Sequence, residues 1–285
     1  MQMLDWISEI ISSSLWKSLS DIIESILNFM FDLISQVVIQ PTEPSRFLTN
    51  FDQYLRGIQF FAGGLLVIFV ILSVFKQLSG VMYEEERSFG SYFIRVTFAG
   101  GLIYILPKTV TLVFLPINNA LIGFIGSVGI STSRIEDSFQ SAWGLLQEGQ
   151  ILQIMFFILS VAVIVLGIAG AIRYIETIIV ILIAPLVAIS VINNSDALNV
   201  WIREVIAIVF TQTIHFLILQ ILLSIMGGVD SLMLMMVLSI GTIAVGLKGP
   251  QILRQYIYKT GTSSALVTSA GSASRLGMMG MFIKH

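Results

Sequence analysis

Apolar residues in this chain come in long uninterrupted blocks. Ile151–Ile172 runs 22 residues without a charge, and Val205–Gly227 does nearly the same. A helix needs roughly 20 apolar residues to cross a bilayer core about 30 Å thick. These blocks therefore predict membrane-spanning helices and not the core helices of a water-soluble domain.

The first 39 residues follow a different pattern. Plotted at about 100° per residue, Leu15, Leu19, Ile22, Ile26, Met30 and Val37 share one half of a helix, while Lys17, Asp21, Glu24, Asn28, Asp32 and Gln36 fill the other. Phe31 is the exception. This predicts an amphipathic helix that does not span, broken near Ser12–Ser14 and ended by Pro41-Thr42-Glu43-Pro44.

The first span is expected at 57–75, between Arg56 and Lys76, followed by a charged loop with Glu84-Glu85-Glu86-Arg87. Residues 92–130 are apolar but carry Pro107, Pro116 and Asn118-Asn119, so a broken span or a short hairpin is expected. The stretch 131–150 is polar, and Ser133 to Glu136 has capping-box spacing. With Ile135, Phe139, Trp143 and Leu146 at helical intervals, a second interfacial helix is expected there. Arg173-Tyr174-Ile175-Glu176 interrupts the 151–192 region, and 231–247 is a shorter apolar segment closed by Lys248-Gly249-Pro250. Three regions result: an amphipathic 1–45, a membrane-spanning 46–250, and a basic, small-residue-rich tail 251–285 that reads as mobile. The expected fold class is all-α, a polytopic helical membrane protein with an amphipathic N-terminal helix.

Composition agrees: 56% of the 285 residues are hydrophobic and 11% are charged, against roughly 25% charged in a soluble domain. Charge distribution gives a topology. Five acids and one base lie in the first 40 residues, whereas five bases and no acid follow Asp230. The positive-inside rule places the tail in the cytoplasm and the N-terminus outside. That requires an odd number of crossings, and five and seven both fit. The N-terminus lacks a basic stretch ahead of an apolar core, so no cleavable signal peptide is expected. The chain has no cysteine, which excludes disulfides and thiol catalysis.

Candidate chemistry is sparse. Arg173 and Glu176 are spaced to share a helix face; they read either as a pore-lining or interface pair or as charges at a membrane surface. Thr211, Gln212, Thr213, His215 and Gln220 give one span a polar patch. A proton relay needs an acid within that span, which holds none, so hydrogen bonding to neighbouring helices is the favoured reading. Asp230 has no second intramembrane aspartate to form a protease dyad, and neither a His-Glu-x-x-His nor a phosphate-binding loop occurs. No enzyme activity, cofactor or metal is expected. Glycines at 63–64, 100–101, 123, 126, 129, 167 and 170 allow close helix approach, within the chain or between chains. Lys248, Arg254 and Lys259 are candidate cytoplasmic basic contacts for DNA or anionic lipid, although topology alone explains them.

The amphipathic 1–39, the acidic loop at 84–87, the helical loop around Trp143, and Val245-Gly246-Leu247-Lys248-Gly249-Pro250-Gln251-Ile252-Leu253-Arg254-Gln255-Tyr256 with Thr260-Gly261-Thr262 behind it form a recognisable layout. The chain resembles the TrbL-type polytopic membrane subunit of conjugative type IV secretion systems, in its short Gram-positive form. The resemblance covers most of the chain. It implies a non-enzymatic channel subunit in the cell membrane that forms a ring with copies of itself. It also implies contact with the transferred single-stranded DNA and its relaxase, and operation beside ATPases. Five spans with an outer N-terminus is the picture for related subunits; the apolar stretches 92–130 and 231–247 depart from it. On this reading Arg173, Glu176, Gln212, His215 and Trp143 are candidate channel or interface residues. Two other classes compete: a secondary transporter, for which Pro107 and Pro185 offer a pair of broken helices, and a membrane-perturbing or immunity-type protein.

Overall fold

A computed structural model describes residues 17–18, 21–22, 24–26, 28–78, 89–129, 150–193, 196–229 and 231–259. Among these the regular structure is all helical. After the helical residues 28–34, six helices follow in order: α1 Phe51–Leu78, α2 Phe89–Thr109, α3 Leu115–Val128, α4 Gln150–Ile189, α5 Ala197–Gly228 and α6 Leu232–Lys259. The chain is a polytopic helical membrane protein. Five stretches among the described residues are long and apolar enough to cross a bilayer: Phe51–Phe75, Tyr92–Val128, Phe157–Ile192, Ala197–Met226 and Met233–Lys259. Five is the lower of the two counts the sequence leaves open.

Three expected interruptions do not break the chain. Residues 92–130 form no hairpin: α2 passes into α3 through a π-turn, Val110–Phe114. A π-turn re-spaces the carbonyl ladder by one residue, and here it comes just before Pro116, which has no N–H to give. Pro107 sits inside α2 and leaves the carbonyl of Ile103 without its helical donor. The Gln59 side chain on α1 donates to that carbonyl at 3.4 Å. The Arg173–Glu176 stretch lies within α4, a 40-residue helix roughly 60 Å long, about twice a bilayer core. Lastly, α6 continues through Pro250 to Lys259, past the expected end at Lys248. The 84–87 loop, the 131–149 loop with Trp143, Asp230 and the tail from 260 lie outside the described residues.

Two compact units group these elements. The first draws on the chain up to Pro41, on Ala120–Ile172 and on Gln212–Gly249. Its core sets Met30, Ile34 and Val38 against Leu159 and Val163 of α4 and Phe216, Leu219 and Leu222 of α5. Residues 28–34 are helical and end in a π-turn, Ser35–Ile39. Met30, Ile34 and Val37 are buried while Asn28 and Asp32 are exposed, which is the amphipathic spacing the sequence predicts. Phe31, on the polar side by periodicity, is partly buried against this core.

Glycine makes the seat for this segment. A Cβ at Gly167 would come within 2.8 Å of Leu33 Cδ2, and one at Gly170 within 3.0 Å of Val38 Cγ2 and 3.1 Å of Val37 Cγ2. These two glycines therefore serve packing within the chain, whereas a Cβ at Gly63 or Gly64 would meet nothing within 4 Å.

The second unit comprises Thr42–Asn119, Arg173–Thr211 and the chain from Pro250 onward. Small residues let its helices close: Ala62 of α1, Ala99 of α2, and Ala184 and Ala188 of α4 are all fully buried. Trp201 of α5 fills the same core and its indole N–H donates to the Val180 carbonyl at 3.0 Å. By contrast, α1 buries only 6% of its spanning window, and Phe60 stands 86% exposed. Its apolar surface is the kind that lipid or another protein surface covers.

A Gly170→Val substitution is expected to unseat residues 33–38, because the branched valines opposite have little freedom to yield. The cost should be about 1–3 kcal/mol, read as a lowered unfolding midpoint in detergent and faster proteolysis before Pro41. Gly63→Ala should leave both unchanged.

Candidate functional site

Buried polar side chains mark where the N-terminal segment leaves its helix. In the first unit, Gln40 turns to an extended backbone (φ −67°, ψ 147°) and Pro41 follows. The carbonyls at this break have no helical donor. Gln212, 1% exposed on α5, supplies one: its Nε2 donates to the Val38 carbonyl at 3.1 Å and to the Gln40 carbonyl at 2.9 Å. A bare carbonyl in apolar surroundings is costly, which is why a glutamine belongs here on an otherwise apolar helix.

Three more residues of the polar patch on α5 are also enclosed, while Thr213 is partly buried. Thr211 bonds back to the Ala207 carbonyl at 2.7 Å. His215 and Gln220 are 1% and 5% exposed. A Cβ at Gly129 would sit 2.6 Å from Gln220 Oε1, so this amide rests against bare backbone.

In the second unit, Arg173 and Tyr174 of α4 hold the chain that follows Pro41. Arg173, 2% exposed, donates from Nη2 to Thr42 Oγ1 at 2.7 Å. The Tyr174 hydroxyl donates to the Glu43 carbonyl, and its ring meets Phe47 edge-on at 5.0 Å. The Thr42 N–H points to Asn119 Oδ1 at 3.4 Å. Thr42–Thr49 is a non-helical stretch between apolar helices, and these side chains meet its polar groups.

A third set of groups is charged and open. Arg254 Nε lies 3.1 Å from Glu204 Oε2, and its Nη2 lies 3.7 Å from Glu176 Oε2. The Tyr258 hydroxyl donates to Glu204 Oε1 at 2.8 Å, and the Arg203 guanidinium stacks 5.5 Å above the Tyr258 ring. Glu176 thus shares an ion pair with Arg254, while Arg173 bonds to Thr42. Lys248 and Lys259 are exposed, and Trp143 lies outside the described residues.

Sequence reasoning passes over Glu204, Tyr174, Thr42, Asn119 and Tyr258. Glu204 carried a usable signal, because Arg203-Glu204 sets two charges side by side within an apolar stretch. Thr42 and Asn119 carried none, since their partners are remote in sequence. Among the described residues no group of three His, Asp or Glu side chains is placed to hold a metal ion.

The fold thus defines a polytopic membrane protein in which Gln59, Gln212 and Tyr174 serve backbone carbonyls, Arg173 a threonine hydroxyl, and Arg254 an ion-pair set. A family model described as conjugal transfer protein TrbL matches residues 5–284. The chain belongs to this family and is a component of a conjugative transfer system. Comparison with curated proteins and with solved structures finds no match.

Replacing Gln212 by Leu removes the donor from two buried carbonyls. We expect a loss of about 1–2 kcal/mol, measured as a shift in the detergent unfolding midpoint. Gln255→Leu, at an exposed position, should produce no shift.

Proposed function

We propose that this protein is a non-enzymatic channel subunit in the cytoplasmic-membrane part of a conjugative type IV secretion system. It contributes to the passage of single-stranded DNA. The observation that carries this reading is the family match over residues 5–284 on a chain with five helices fit to cross a bilayer among its described residues. A channel subunit needs close helix packing, apolar outer surfaces and enclosed polar groups; it needs no nucleophile.

In this reading the protein assembles into a ring with copies of itself, and the apolar surface of α1 is available for that contact. Secretion ATPases and the relaxase-bound DNA strand are its other partners. The N-terminus lies outside and the basic tail in the cytoplasm. The loop around Trp143 contacts the DNA. Arg173, Gln212 and His215 hold the bundle that frames the path, and Glu176 stands at a polar surface; Lys248, Arg254 and Lys259 mark the cytoplasmic side.

A solute transporter would place its site where two helices break. Here the helices continue through Pro107 and Pro185, which favours the channel reading.

In-frame deletion of the gene should abolish DNA transfer while the relaxase still nicks its substrate; transfer at the normal frequency would refute the role. A photoreactive residue replacing Trp143 should crosslink to the strand only during active transfer. Absence of the adduct under active transfer would count against DNA contact at that loop.

A further inference from the structure

Glu176 occupies an unusual position. It lies about 19 residues from Phe157 and about 16 from Ile192, roughly 28 Å and 24 Å of helix from the two ends of its apolar stretch. Charges within spanning helices normally face the bundle interior or a water-filled cavity. Arg173, one turn earlier on α4, obeys the first alternative, since it is 2% exposed. Glu176 does not: its side chain is 41% exposed, and those of its partners Arg254 and Glu204 are 38% and 29% exposed.

We propose that water reaches the middle of α4 along the face bearing Glu176, Arg254 and Glu204, making this face an aqueous surface of the protein within its apolar helices. Ion pairing answers only part of the need. The carboxylates and the guanidinium still present surface that must meet donors and acceptors from outside this unit, and hydrocarbon supplies neither. Exposed polar residues continue the same surface on α6, where Gln251 and Gln255 flank Arg254.

A different exposed surface runs alongside on α4, roughly a quarter-turn round the helix from Glu176. Ile175 and Leu186 are 53% and 38% exposed there and carry no polar atom in their side chains. One helix thus presents a hydrated edge and an apolar row. The hydrated edge is balanced in charge, Arg203 and Arg254 against Glu176 and Glu204, so it holds water without demanding a counterion. This inference concerns where water lies and stands whatever cargo the protein serves.

The absence of cysteine makes the test direct. Single substitutions Glu176→Cys, Glu204→Cys, Gln251→Cys, Ile175→Cys and Leu186→Cys are made in the full chain. Open membrane fragments are treated with a charged thiosulfonate, and unreacted thiols are counted after denaturation with a mass-shifting maleimide. The first three should react at least about tenfold faster than the Ile175 and Leu186 positions, because only a hydrated thiol ionises to the reactive thiolate. Reaction of Glu176→Cys as slow as that of Ile175→Cys overturns the proposal, even where Gln251→Cys is fast. If Glu176→Cys fails to accumulate, Glu204→Cys decides the question, and its reaction as slow as that of Ile175→Cys overturns the proposal.

Discussion

Hydrocarbon offers no hydrogen bonds, so each backbone group freed by a break in a helix must find its partner inside the protein. That constraint organises the polar residues of this chain. Where Pro107 removes a donor from α2, Gln59 reaches across from α1 to the stranded carbonyl of Ile103. Where the N-terminal segment ends at its π-turn, Gln212 serves the carbonyls of Val38 and Gln40. Where the following stretch runs without helix, Arg173, Tyr174 and Asn119 bind its side chains and backbone.

The same constraint explains why residues 28–40 pack into the first unit. Apolar side chains alone give weak reason for helices to associate when the surroundings are equally apolar. Close packing supplies the rest. Gly167 and Gly170 let Leu33, Val37 and Val38 approach the backbone of α4, and the glutamine bonds fix the register. The chain belongs to a conjugal transfer family, and in its architecture helices that hold their own polar groups are left with apolar outer surfaces.

Polar groups in the described bundle thus fall into two kinds. Gln212 and Arg173 are enclosed and bonded to backbone or hydroxyl groups of the same unit. Glu176, Glu204 and Arg254 are partly open and bonded to one another. The first kind stabilises the bundle, and the second defines a surface.

The sequence by itself determined the class of the protein. Long uncharged runs, the 3.6-residue spacing of Met30, Ile34 and Val37, and the reversal of charge between the two ends are local properties, legible residue by residue. Tertiary structure decided what interrupts a helix and what does not. Pro107, Pro116 and Pro250 look like stops because proline removes a donor and crowds the preceding turn. Yet the helical path continues past all three, with a re-spaced turn ahead of Pro116 and a neighbouring glutamine at the carbonyl that Pro107 strands. Arg173 and Glu176 look like a pair because they are three residues apart, but their hydrogen-bond and ion-pair partners lie at Thr42 and Arg254. Those partners are about 131 and 78 positions away in the chain, and only packing brings them within bonding distance, since spacing along a sequence reports neighbours within about one helical turn.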